Sequence, residues 1–322
     1  MKNEQVAISF VIPVMNESEN VAQLHAEIVS AAKKSIAVLN DSVKDVSKQV
    51  EIIFVDDGST DTTVAELKKL SPITIIELRR NFGQTAALDA GIKAASGEYL
   101  VTLDGDGQND PASVPDMFKK LLDEDVDVVC GWRAKRKDSS SKRFISAGAR
   151  WLRSFLVSDG VHDSGCTLRV YRGDCFNGLT LRGEMHRFIP ALLKWRGFKV
   201  REMPVNHRAR LHGVSKYSMS RTVKGFLDML ALWFFRKYAS RPLHFLGGLG
   251  LLAFLSGMFL FSFLFVMRLF GMISLSDSIW PLVAVFGMLF GIQMFVSGLL
   301  MDLVISNAKG EMYQVKRVVN QS

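Results

Sequence analysis

Leu103-Asp104-Gly105-Asp106-Gly107-Gln108 sets two carboxylates one glycine apart, directly after an apolar run. Hard divalent cations such as Mg2+ and Mn2+ take oxygen ligands, and Mg2+ usually keeps waters and binds substrate phosphates. The flanking glycines would let a diphosphate approach the backbone. The corresponding chemistry is Lewis-acid support of a departing phosphate group. A lone Asp-X-Asp can equally be a solvated turn. Here a second acidic turn, Asp56-Asp57-Gly58-Ser59, and the pair Asn16-Glu17 also follow apolar runs, which favours a shared site. Two groups of cations could meet an anion. Arg133 follows Cys130-Gly131-Trp132, and its planar guanidinium suits phosphate. Arg208, Arg210 and Lys216 surround Gly213 and Ser215, where a turn could present charge and a hydroxyl together. Arg136, Lys137, Lys142 and Arg143 could equally form a solvated basic face.

Positioning these groups requires strands that end where the motifs begin. Strand-like runs occur at Ala7–Ile12, Glu51–Val55, Ile73–Leu78, Tyr99–Leu103 and Val126–Cys130, with helix-like segments beginning near Glu19, Thr62, Gln84 and Pro111. This alternation predicts an α/β fold with a mostly parallel sheet covered by helices on both faces. Ligands of such sheets sit outside the carboxyl ends of the strands, where the polar motifs stand. Glu51 begins its strand and is excluded from the site on that ground. Asn16 could cap a helix before Glu19, and the segment Lys33 to Gln49 reads as a helix extension and loop.

Downstream, Pro242 to Met267 and Ser278 to Met301 are long and apolar. Each exceeds the roughly 20 residues that cross the hydrocarbon core as a helix, so they predict a transmembrane hairpin. Arg236, Lys237 and Arg241 precede it, and Lys309, Lys316 and Arg317 follow it. The positive-inside rule therefore places the large domain and both termini of a multi-pass chain in the cytoplasm. The expected organisation is a catalytic domain over 1–217, juxtamembrane amphipathic helices over 218–241, spans within 242–305 and a tail over 306–322. Phe226, Leu230, Trp233 and Phe234 would place an interfacial helix at the lipid surface. The chain has 322 residues, a net charge of +8 and a mean hydropathy of +0.16. Its cations gather before the membrane segment, which argues for a lipid bilayer and against nucleic acid. The N-terminus lacks the h-region of a secretory signal. Cys130, Cys166 and Cys175 have no metal-ligand spacing and read as buried, reduced thiols. Gly247, Gly248, Gly250 and Gly257 could allow close helix contact between copies of the chain.

Together, Val11-Ile12-Pro13-Val14-Met15-Asn16-Glu17, Val55 to Asp61, Arg79-Arg80-Asn81-Phe82-Gly83, Leu103 to Gln108 and His212 to Tyr217 resemble the family 2 glycosyltransferases. Within them the chain is most similar to the polyisoprenyl-phosphate group, which includes dolichol-phosphate mannose synthase and bacterial undecaprenyl-phosphate sugar transferases. The resemblance implies a Rossmann-like GT-A fold, a nucleotide-sugar donor, a polyprenyl phosphate acceptor and a homo-oligomer, possible as a tetramer. It assigns Pro13, Asn16, Glu17 and Asp56 to the nucleoside, with Asp57 and Ser59 shaping the turn. Arg80, Asn81 and Gly83 would open a helix toward an anion, and Asp104 with Gly105 would meet the sugar or ribose. Asp106 and Gln108 would hold Mg2+ or Mn2+ and the diphosphate. Arg133, Arg208, Arg210, Ser215 and Lys216 would bind acceptor phosphate or donor diphosphate. Asp163 to Cys166 and Gly183 to Phe188 fall on the acceptor side, with Glu184 a candidate base and His186 structural or phosphate-facing. The implied reaction is inverting transfer of one sugar, with a UDP-sugar preferred and a GDP-sugar as fallback, to undecaprenyl phosphate for cell-envelope glycan modification. A processive polysaccharide synthase would be expected to carry a Gln-x-x-Arg-Trp segment and more spans. A catalytically idle nucleotide-sugar-binding adaptor is the alternative from another class.

Overall fold

The computed structural model describes residues 6–39, 49–133, 160–163, 165–208, 230, 233–234, 237–238, 242–272 and 278–307. The chain divides into two units near residue 230. In the first, β1 (Ile8–Val14), β2 (Val50–Asp56), β3 (Thr74–Glu77), β4 (Tyr99–Thr102), β5 (Val128–Trp132), β6 (Arg169–Arg172) and β7 (Val200–Pro204) form one sheet. Its order is β3-β2-β1-β4-β6-β5-β7. β1 pairs in parallel with β2 and β4, β2 with β3, and β5 with β7, whereas β6 runs antiparallel to both β4 and β5. The sheet is therefore mixed but mostly parallel. The five expected strands are present. β6 and β7 were not expected, because Arg169-Val170-Tyr171-Arg172 is short and flanked by charge, and the half-exposed edge strand β7 ends in Pro204.

The pleat sorts side chains to two cores. Ile8, Phe10 and Ile12 of β1 pack with Leu24 and Ile28 of α1 (Val21–Leu39) and with Phe118 of α4 (Val114–Asp123). On the other face Val11, Ile53 and Val55 meet Ala87 and Leu88 of α3 (Gln84–Ala94) and Ile189 and Leu193 of α5 (Ile189–Trp195). Burying each large apolar side chain is worth about 1.5–3 kcal/mol. α3 lies so near the sheet that a Cβ on Gly91 would overlap Val11 and Val55. A short α2 spans Thr63–Leu67, and a 3-10 turn over Pro111–Ser113 leads into α4. α1 begins at Val21, two residues later than expected, so Asn16 is not its cap. The three cysteines are buried and lie outside any disulfide. Glu51 lies at the start of β2, where Ser9 and Ser96 donate to its carboxylate.

The second unit contains α6 (Pro242–Leu269) and α7 (Trp280–Asn307), both long and apolar enough to cross a membrane, with mean hydropathies of 2.3 and 2.1. Large side chains such as Phe259 and Phe286 point outward. Glycines let the two backbones touch. A Cβ on Gly250 would come within 2.6 Å of the Gly291 carbonyl, and one on Gly257 within 2.7 Å of the Ala284 carbonyl. Gly247 faces Phe295, while Gly248 has nothing within 4 Å of its Cβ position. Three of the four glycines expected to serve contact between copies are thus engaged inside the hairpin. Most of the expected juxtamembrane segment lies outside the described residues.

Candidate active site

β1, β2 and β4 run parallel and side by side, so their carboxyl ends bring three loops together. Asn16 sits at φ 58°, a left-handed conformation that Asn tolerates better than most residues. In that pose its amide N–H donates to Ser59 Oγ at 2.9 Å and its Oδ1 accepts from the Thr60 N–H at 2.8 Å. The Glu17 amide donates to Thr63 Oγ1. These bonds tie the β1 loop to the β2 loop. Asp56 accepts from the Ser59 amide and closes the acidic turn. Asp57 reaches the next loop, where its carboxylate accepts from the Phe82 amide at 2.7 Å and the Gly83 amide at 3.0 Å. The anion at the entrance of α3 is therefore this side chain, which already takes both amides. Gly58, at φ 72°, permits the contact, since a Cβ there would lie 2.6 Å from the Arg80 carbonyl carbon. Arg80 lies over the Phe82 ring, and Asn81 lies against the Met15 sulfur.

The turn after β4 passes under the end of β1: a Cβ on Gly105 would lie 2.6 Å from Val14 Cγ1 and 3.1 Å from the Pro13 carbonyl oxygen. Asp104 accepts from Gln84 Nε2 at 2.6 Å, and Asp106 accepts from the Gln108 amide at 3.1 Å. Burial, and then the nearby charge of Asp106, push the Asp104 carboxyl up to about 6. Two carboxylates one glycine apart in a partly buried turn are a donor set that a hard cation would suit. Among the described residues no group of three or more His, Cys, Asp or Glu side chains could enclose a metal. A cation here would complete its shell with water or substrate oxygens, as Mg2+ commonly does. Asp104 also lines a cavity with Pro13, Gln84, Thr167, Arg169 and His186.

Other expected residues are placed differently. Arg133 gives two parallel hydrogen bonds to Asp163, Nε to Oδ2 at 2.6 Å and Nη2 to Oδ1 at 2.8 Å. Burial disfavours its charge, yet the Asp163 carboxylate more than offsets this and holds the guanidinium above its ordinary value. One edge of the fork is therefore already used. Glu202 of β7 fixes the same loop by accepting from the His162 and Asp163 amides. Arg208 departs further from expectation: its guanidinium is shared by Glu27 of α1 and Asp110, each at 2.8 Å, so it braces the domain where a phosphate ligand was expected. The Gln108 carbonyl accepts from the Arg208 amide, joining that strut to the acidic turn. Glu184 precedes the 3-10 turn Met185–Phe188 and lies 3.6 Å from Arg187. Arg210, Ser215 and Lys216 lie outside the described residues.

Of the side chains around the cavity, sequence reasoning singled out Pro13, Asp104 and His186 but gave no role to Gln84, Thr167 or Arg169. Arg169 is 2% exposed on β6 and donates to the His186 carbonyl at 2.9 Å. Thr85 Oγ1 and His186 Nδ1 are hydrogen-bonded at 2.7 Å. Thr102 donates to the Thr167 carbonyl, and Asn109 donates to the Thr167 hydroxyl. The local hint at Arg169 was an arginine opening a short run whose centre, Val170-Tyr171, is apolar.

A family model described as glycosyl transferase family 2 matches residues 9–177. The dodecaprenyl-phosphate galacturonate synthase of Rhizobium johnstonii is 42% identical over 259 residues, 77% of this chain and 72% of that protein. The undecaprenyl-phosphate 4-deoxy-4-formamido-L-arabinose transferase of Salmonella choleraesuis is 32% identical over 303 residues, 92% of this chain and 88% of that protein. Among solved structures, glucosyl-3-phosphoglycerate synthase from Mycobacterium tuberculosis, in complex with Mn2+, UDP and glucosyl-3-phosphoglycerate, superposes with a TM-score of 0.53 at 19% identity. It covers 72% of this chain and 80% of its own, a likeness that shows the GT-A fold.

Proposed function

Because the chain belongs to glycosyl transferase family 2, we propose that it transfers one sugar from a nucleoside diphosphate sugar to a polyprenyl phosphate. The observation that carries this reading is the Asp104–Asp106 turn, set at the carboxyl end of β4 across β1 from the Asp56–Ser59 turn, in a chain with two membrane-length helices. The names of both relatives support the polyprenyl phosphate acceptor, and a galacturonate donor is the first to test. UDP is the proposed carrier.

Asn16, Glu17, Asp56 and Ser59 form the tied junction that would receive the nucleoside, with Pro13 at its edge and Asp57 holding the neighbouring loop. Arg80, Asn81 and Gly83 complete its rim. Asp106, with Asp104 and Gln108, would hold Mg2+ or Mn2+. That ion would neutralise charge on the departing diphosphate. An acceptor phosphate oxygen attacks the anomeric carbon, the bond from that carbon to the diphosphate oxygen breaks, and UDP leaves with the electron pair. A single displacement inverts the anomeric configuration. A phosphomonoester has a second pKa near ~6, so much of the acceptor is dianionic at neutral pH and no base is required of Glu184. Positioning and charge neutralisation dominate. The Asp163-braced Arg133 would offer its remaining edge to phosphate, joined by Arg210, Ser215 and Lys216.

The hairpin would anchor the catalytic domain at the inner membrane, facing the cytoplasm, where a lipid phosphate is presented. UDP release from UDP-sugars, followed with and without undecaprenyl phosphate, tests the reading. Lipid-dependent release supports transfer. Nucleotide-sugar binding without release for every donor would favour the idle adaptor, and products carrying many sugars would favour the processive synthase.

A further inference from the structure

We propose that Gln84, Thr85 and His186 select the donor's sugar. This rests on the reading that the Asp104–Asp106 turn receives a nucleotide sugar, and it assigns the hexose-selecting wall to residues outside the acidic motifs. Gln84 and Thr85 open α3; Gln84 and His186 line the cavity at Asp104, and Thr85, outside that lining, acts on it through its hydrogen bond to His186. Gln84 Nε2 donates to Asp104 Oδ1 at 2.6 Å, which orients the amide, because only its nitrogen can donate to a carboxylate. The Gln84 amide oxygen is then an acceptor suited to a sugar hydroxyl.

Thr85 and His186 are 4% and 5% exposed and bonded to each other at 2.7 Å, which fixes the imidazole in the cavity wall. The His186 carbonyl, held by Arg169, fixes the turn that carries it. Leu88 and Pro13 supply apolar surface that restricts the shape of the bound ring. The nucleoside junction of Asn16, Ser59 and Thr60 is held by a separate set of hydrogen bonds. Changing the cavity wall should therefore alter which sugar is accepted while leaving nucleotide binding intact.

The test uses the full chain in detergent with undecaprenyl phosphate and Mn2+, and compares UDP-galacturonic acid, UDP-galactose, UDP-glucuronic acid, UDP-glucose and UDP-xylose. For Gln84→Met, Thr85→Val and His186→Gln, the ratio of kcat/KM between the best donor and the next should change by about tenfold or more, the scale of one pocket contact. The KM for undecaprenyl phosphate and the inhibition constant of UDP should stay within about twofold. An equal loss with every donor, leaving the ratio unchanged, would overturn the proposal and make the wall structural. Thermal melting checks folding; if Thr85→Val does not fold, the half-buried Gln84→Met decides. Wild-type protein that transfers no sugar would instead refute the underlying reading, and the selection proposal with it.

Discussion

Replacing Asp104 with Asn should stabilise the metal-free protein while it abolishes transfer. The Asp104 carboxyl is raised from 3.8 to about 6 by burial and by the charge of Asp106. At 1.36 kcal/mol per pH unit this corresponds to about 3 kcal/mol. The folded state holds the proton more tightly than the unfolded state. Below pH about 4 both states are protonated and the group costs nothing; the penalty grows as pH rises toward about 6 and is complete above it. Asn cannot ionise and can still accept the Gln84 hydrogen bond. Residual solvent access trims the gain to about 1–3 kcal/mol near pH 7.5. The assay is denaturant or thermal unfolding of chelator-treated protein at pH 4.5 and 7.5. The variant should be the more stable protein at pH 7.5, with the difference shrinking at pH 4.5. Added Mn2+ should stabilise wild type and have little effect on the variant. A variant no more stable than wild type at either pH would refute the strained acidic pair.

Asp163→Asn should cost about 2–3 kcal/mol, because each partner of the Arg133 pair is only 14% exposed, and it should raise the KM for polyprenyl phosphate in steady-state assays. Gly58→Ala should lose about 1–3 kcal/mol, since it forces a side chain into a positive-φ turn pressed against Arg80, and calorimetry should show weaker UDP binding. Glu51→Gln weakens the hydrogen bonds from Ser9 and Ser96 at the far end of β2, so melting should shift by about 1–2 kcal/mol while UDP affinity stays unchanged. Gly291→Ile should drive the helices of the hairpin apart at a cost of about 1–3 kcal/mol, whereas Gly248→Ile, which meets nothing within 4 Å at its Cβ position, should leave melting in detergent unaltered.

The parallel core was legible because its strands are continuous apolar runs ended by acidic turns, and local periodicity carries both signals. The hairpin was legible from length and hydropathy alone. β6 was not, since its burial depends on neighbours on both sides and its charged ends mask its short apolar center. Side-chain partnerships across long separations were also hidden. Arg133 pairs with Asp163, and Arg208 spans Glu27 and Asp110, though each arginine looked available for phosphate. The same holds for Thr85 and His186, brought together from 101 residues apart. Glycine spacing in α6 permitted close packing without saying against which helix, and the structure places α7 there.

The most direct test is mass spectrometry of the lipid formed when purified wild-type protein and Asp106→Ala are incubated with undecaprenyl phosphate, a panel of UDP- and GDP-sugars, and Mg2+ or Mn2+. A lipid-linked monosaccharide from wild type, absent with Asp106→Ala and absent without metal, is the predicted result. Equal product from the variant would contradict the assignment of the acidic turn, and no product from wild type with any donor would contradict the proposed transfer itself.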